Sequence, residues 1–85
     1  MTLEEKVKQI VVDVLKVEAS QVTPTAHFVN DLSADSLDQA ELMMEIEEKF
    51  KDHLQGVADE ETQKLETVGA VIEFLKSKGV PENVD

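Results

Sequence analysis

Cysteine is absent from this 85-residue chain, so it offers no disulfide framework, no thiolate nucleophile and no thiolate ligand for a metal. Arginine is absent too: eight lysines face nineteen acids, for a formal net charge of −11. Such a surface repels nucleic acid and anionic membranes, and it calls for basic partners. Self-repulsion of the acids predicts marginal stability that improves with salt or divalent cations. No apolar run approaches the roughly 18 residues of a membrane span, and "MTLEEKVKQI" has neither the basic start nor the apolar stretch of a secretory signal. A cytoplasmic protein without membrane insertion is expected. Also missing are a glycine-flanked nucleophile elbow and the spaced, glycine-containing acidic loop of an EF-hand.

What is present is enough for one small domain. With 41% hydrophobic residues in 85, a single core and three or four short elements are the most the chain can hold. Leu3, Val7, Ile10, Val11 and Val14 recur at helical steps behind a Thr2–Glu5 capping box, predicting a helix over about Leu3 to Lys16. Residues 17–34 read as a long loop rich in turn chemistry, with Val22, Phe28, Val29 and Leu32 as its anchors against a helix bundle. A second helix is expected from Asp35 or Ser36 to about Lys51, burying Leu42, Met43, Ile46 and Phe50. A short helix near Asp59 to Lys64 follows, with Leu54, Val57 and Leu65 pointing inward and Asp59 as its cap. The last helix spans about Val68 to Lys78 and is stopped by Gly79 and Pro81. Residues 1–78 are then the domain, and 79–85 a flexible tail.

The charge is not evenly spread. Between Asp31 and Asp52 lie eight acids and two lysines, a net of −6 out of −11. On the second helix Leu37, Ala40, Glu41, Met44, Glu47 and Glu48 share a side that mixes acids with apolar groups. A purely solvated face has little use for Leu37 and Met44, so this side suits contact with partners.

Ser36 has two readings by position. Either Ser36 with Gln39, or Asp35 with Asp38, fits a capping box. If Asp35 caps, the Ser36 hydroxyl stands exposed at the positive end of the helix dipole, where a phosphate ester is favoured. Catalysis by Ser36 lacks support, since His27 and His53 have no motif spacing and read as ordinary loop or surface histidines. Asp31, Asp35 and Asp38 could bind a divalent cation weakly but form no dedicated metal site.

At "DLSADSLDQAEL" the chain resembles the acyl carrier proteins of the free-standing fatty acid synthesis kind. An N-terminal amphipathic helix, a loop with "FVNDL", the D-S-L helix, "EIEEKF", an acidic "DEE" and a final "TVGAVIEFL" follow in that family's order. The resemblance implies an all-α fold: a small four-helix bundle with one short helix and a long first loop. It implies that a phosphopantetheinyl transferase moves 4′-phosphopantetheine from coenzyme A to Ser36, with Asp35 assisting the transfer beside that enzyme's magnesium. The chain is then a monomeric carrier and not an enzyme. Its cargo is the growing fatty acyl chain, delivered to the basic surfaces of ketosynthases, reductases, dehydratases and acyltransferases. Leu37, Asp38, Ala40, Glu41, Met44, Glu47 and Glu48 are the expected partner surface. Ile46, Phe50, Leu54, Leu65, Val68 and Phe74 are the expected acyl pocket. The alternatives are a carrier for polyketides, lipid A or D-alanine, and an acidic helical adaptor in which Ser36 is only a cap. Two departures stand out: Ser33 where the family commonly has glycine, and a connection after Phe50 about three residues longer than usual.

Overall fold

The computed structural model describes residues 1–55 and 59–83, in the order α1 (Leu3–Leu15), a single 3-10 turn (Ala19–Gln21), α2 (Ser36–Lys49), α3 (Asp59–Gln63) and α4 (Val68–Ser77). No strand occurs among the described residues, only isolated bridges. The architecture is the all-α bundle expected, with boundaries one or two residues shorter at the C-terminal ends. Val57, expected to point inward, lies outside the described residues, as does the side chain of Asp59, expected as the cap.

Helix α1 begins as its sequence dictates. The Thr2 hydroxyl accepts the Glu5 N–H at 3.1 Å, and the Glu5 carboxylate accepts the Thr2 N–H at 2.9 Å. Hydrogen bonding of its carboxylate to Thr2, first to the backbone N–H and then to the side chain, holds the Glu5 carboxyl below its ordinary pKa. The contribution is therefore present near neutral pH and is lost as acid takes the solution through that lowered value. Leu3, Val7, Ile10 and Val11 are buried, and this stripe packs on both α2 and α4. β-Branched residues make α1 a weak helix in isolation, so the packing is what holds it.

The long loop is tied down by backbone as much as by side chains. The first amides of any helix lack intrahelical acceptors. Here the loop supplies them to α4: Val68 N–H donates to Ala26 O at 3.1 Å and Gly69 N–H to Pro24 O at 2.8 Å. Thr67 caps the same end by accepting the Ala70 N–H at 3.1 Å, and Phe28 N–H donates to Glu66 O at 2.9 Å. Glycine is required at 69, because a Cβ there would stand 2.7 Å from the Pro24 carbonyl oxygen.

Of the expected loop anchors, Val22, Phe28 and Leu32 are buried, joined by Ala26 and Ala34. Val29 is not an anchor: it is 44% exposed. The reason is local. Leu32 and Asp31 both donate to His27 O, Ser33 to Val29 O, and Ala34 to Phe28 O, so the segment coils tightly. Residues four apart then share a face, and Phe28 and Leu32 turn inward while Val29 turns out.

Gly79, at φ 90°, ends α4 in a Schellman motif: Val80 N–H donates to Leu75 O and Gly79 N–H to Lys76 O, each at 3.1 Å. In the segment expected as a flexible tail, Val80 is buried at 4% exposure and Glu82 O accepts the Leu3 N–H at 2.6 Å. Thr2 bridges Asn83, and the Lys76 ammonium lies 2.7 Å from the Glu82 carboxylate. Hydrogen bonding and charge from Glu82 push the Lys76 pKa up.

Candidate functional site

The two readings of Ser36 are separated by the cap. Asp35 is the N-cap: its carboxylate accepts the Asp38 N–H at 2.8 Å, and the Asp38 carboxylate accepts the Asp35 N–H at 3.1 Å. Ser36 is therefore the first helical residue of α2 and is exposed. Its hydroxyl stands on the turn whose amides point outward, at the positive end of the helix dipole. An exposed hydroxyl that the cap does not use, next to that dipole end, fits a phosphodiester attachment.

The approach to this cap contains Ser33, at φ 57°. That is the left-handed region, which costs an L-residue with a Cβ about 1 to 2 kcal/mol and glycine nearly nothing. The geometry thus accounts for the glycine common here in the resembled family. Ser33→Gly regains the strain but adds roughly 0.4 to 1 kcal/mol of unfolded-state entropy. A net stabilisation of about 0.5 to 1 kcal/mol is expected, read as a thermal midpoint a few degrees higher.

From Ser36 a groove of about 530 Å³ runs along α2, lined by Ser36, Gln39, Ala40, Met43, Met44 and Glu47, with Thr62 and Leu65 on its far side. These α2 positions climb by threes and fours, so they cover about 16 Å of helix. Of the residues expected to line an acyl pocket, only Leu65 borders this groove. Ile46, Phe50, Leu54 and Val68 belong to the buried core, and Phe74 is half-buried against it with the Lys78 ammonium 5.5 Å from its ring centroid. Met43, assigned to the core from its wheel position, does both: it packs on the core and faces the groove. Gln39 and Thr62 were not anticipated as lining. Gln39 was legible, lying on the ladder from Ser36 to Met43. Thr62 was not, because the five residues of α3 are too few for a period to fix a face.

On the outer side of α2, Leu37 is 71% and Met44 67% exposed. Ala40, Glu41 and Glu48 are exposed, and Asp38 and Glu47 half-buried. Glu45 is half-buried and paired with Lys49 at 3.8 Å. Two large apolar side chains thus stand in water within a field of carboxylates. Beyond Met44 a second groove of about 320 Å³ lies between α1 and α2, bounded by Asp13, Val14, Lys16, Glu41 and Glu45.

His27 organises the loop. Its Nδ1 accepts the N–H groups of Val29 and Asn30, each at 3.2 Å, and its Nε2 lies 3.5 Å from the Glu66 carboxylate. Its backbone N–H donates to Asp31 at 2.7 Å. His53 is exposed. No group of three or more histidines and carboxylates is placed to hold a metal among the described residues. No described helix is long and apolar enough to cross a membrane.

The family model for phosphopantetheine attachment sites matches residues 5–75. The chain belongs to the acyl carrier protein family. An acyl carrier protein of Chlamydia felis is 46% identical over 78 residues, which is 92% of this chain and 96% of that one. A solved structure of the thermally stable acyl carrier protein from Enterococcus faecalis superposes with a TM-score of 0.68 at 33% identity, covering 93% of this chain and all of that one. Membership makes this chain a carrier that works with a covalently attached 4′-phosphopantetheine and catalyses nothing itself.

Proposed function

We propose that Ser36 is the attachment residue and that the chain carries fatty acyl groups for the enzymes of fatty acid synthesis. The observation that supports this most directly is the division of labour at the start of α2, where Asp35 caps the helix and Ser36 stands exposed beside it. When bound, the arm supplies a terminal thiol that holds an acyl group as a thioester, a group this cysteine-free chain lacks. Ser36 provides the oxygen to which the arm is joined. The N-terminus of α2 favours the negative phosphodiester by about 0.3 to 1 kcal/mol at an exposed site. Asp35 flanks Ser36, placed to meet the transferase's magnesium as the arm is installed.

The acids of α2 do the docking. Asp38, Glu41, Glu47 and Glu48 present charge to basic enzymes, and Leu37, Ala40 and Met44 give the apolar centre of a small contact. Steering by charge speeds encounter without slowing release, which suits a carrier that visits a succession of cytoplasmic enzymes as a monomer. Inside the bundle, Ile46, Phe50, Leu54, Leu65, Val68 and Phe74 form the apolar interior toward which an acyl chain leaving water would move, each buried methylene contributing about 0.8 kcal/mol.

The test is reconstitution. Chain loaded from acetyl- or malonyl-coenzyme A, then incubated with fatty acid synthesis enzymes and reductant, is followed by intact mass. Growth in two-carbon steps to saturated chains is expected. Loading without elongation, together with charging by a D-alanine ligase or a polyketide synthase, overturns the fatty acid assignment.

A further inference from the structure

Thr62 is the one polar residue buried among the described residues, 7% exposed, and it faces the groove that begins at Ser36. Around it the wall is apolar, formed by Ala40, Met43, Met44 and Leu65, while Ser36, Gln39 and Glu47 supply the polar groups of the α2 side. A threonine hydroxyl both donates and accepts, so a bond that it makes within the protein leaves capacity for another. Any amide, keto or hydroxyl group that leaves water for such a groove is penalised unless it finds a partner. Carboxylates such as Glu47 only accept, and cannot serve a carbonyl oxygen.

We propose that the Thr62 hydroxyl hydrogen-bonds an oxygen-bearing group of the chain anchored on Ser36 when that chain lies in the groove between α2 and α3. That group is an amide of the arm or an oxygen at the third carbon of the cargo. The inference rests on Ser36 being the attachment residue. Thr62 then holds the arm or its cargo against the protein and shields the thiol or thioester from reagents in solution.

The experiment compares wild type, Thr62→Val and Thr62→Ser, each prepared unmodified, with the arm alone, and with decanoyl or 3-hydroxydecanoyl cargo, the states checked by intact mass. Alkylation of the free thiol by iodoacetamide and cleavage of the thioesters by hydroxylamine are timed. Thermal midpoints are referred to the unmodified form of the same variant. Thr62→Val is expected to react about two- to tenfold faster, the range for one hydrogen bond, with Thr62→Ser at the wild-type rate. Acceleration in every modified form assigns the arm's amides. Acceleration confined to the 3-hydroxy form assigns the cargo. Equal rates for wild type and Thr62→Val in all forms overturn the proposal, as does a thermal loss in Thr62→Val that is the same in all four forms, the 3-hydroxydecanoyl one included. Failure of the wild type to gain mass removes the Ser36 assignment, and this inference with it.

Discussion

Ser36→Ala is expected to abolish phosphopantetheinylation while leaving the fold intact. Incubated with coenzyme A and a broad-specificity transferase, wild type gains the mass of one arm and the variant gains none. The stability half of the expectation follows from the cap. Both hydrogen bonds of the capping box run between Asp35 and Asp38, so truncating Ser36 removes no cap, and alanine is the better helix former at an exposed position. The thermal midpoint should stay within the change that about 0.5 kcal/mol produces. Asp35→Ala separates the two roles in the opposite sense. It leaves the hydroxyl in place but removes a cap that contributes about 1 kcal/mol, so it melts several degrees lower and loads slowly. If Ser36→Ala gained the arm, the attachment would be elsewhere; if it melted like Asp35→Ala, Ser36 would be a cap after all.

The largest loss of stability is expected from a residue outside every helix. Phe28 is fully buried and is among the largest such side chains in the chain. It sits where the loop meets α4 through the Phe28–Glu66 backbone bond. Phe28→Ala opens a cavity and forfeits the transfer energy of a ring, together about 3 to 5 kcal/mol. A domain of this length holds only about 4 to 13 kcal/mol in total, and strong net charge places this one toward the low end. The variant should melt at least about 12 °C lower or be unfolded at room temperature. The adjacent Val29→Ala should change stability by no more than about 0.5 kcal/mol, because Val29 already faces water. Circular dichroism melts of the pair decide it: similar losses would mean that Val29 packs inward as Phe28 does.

That contrast shows where pattern reading stops. The three longer helices were legible because each carries an apolar stripe at helical spacing and an explicit boundary: Thr2 with Glu5 at the start of α1, a capping box at Asp35 or Ser36 at the start of α2, and Gly79 at the stop of α4. Within the loop, "FVNDL" offers two adjacent apolar residues and no period. Which of them turns inward depends on amides bonding back to His27, Phe28 and Val29, and no spacing announces that coil. The same applies to Val80, which reads as tail in sequence but is buried, because its placement follows from the Schellman turn and from the Leu3 N–H at the start of α1, which donates to Glu82 O. At the site, Ser36, Leu37 and Met44 were legible, since an exposed face of a well-capped helix follows from the wheel. The groove was only half legible. Its α2 wall is a ladder of residues, whereas its other wall comes from α3 and the segment after it, whose orientation is set by tertiary packing. Ser33 is the reverse case. The resemblance marked it as a departure, and only the backbone angle gave the cause.

The meeting of residues 2 and 83 through a backbone bridge has a topological consequence. Because residues 2 and 83 lie side by side, a short flexible linker joining the chain at these two positions would close the backbone into a ring without disturbing the bundle. Ring closure removes conformations mainly from the unfolded chain, and a ring can be reopened at another surface turn. The helices of this carrier would then pack in the same places though read in a different order. The D-S-L turn could lie near a new end, far in sequence from the residues that now precede it.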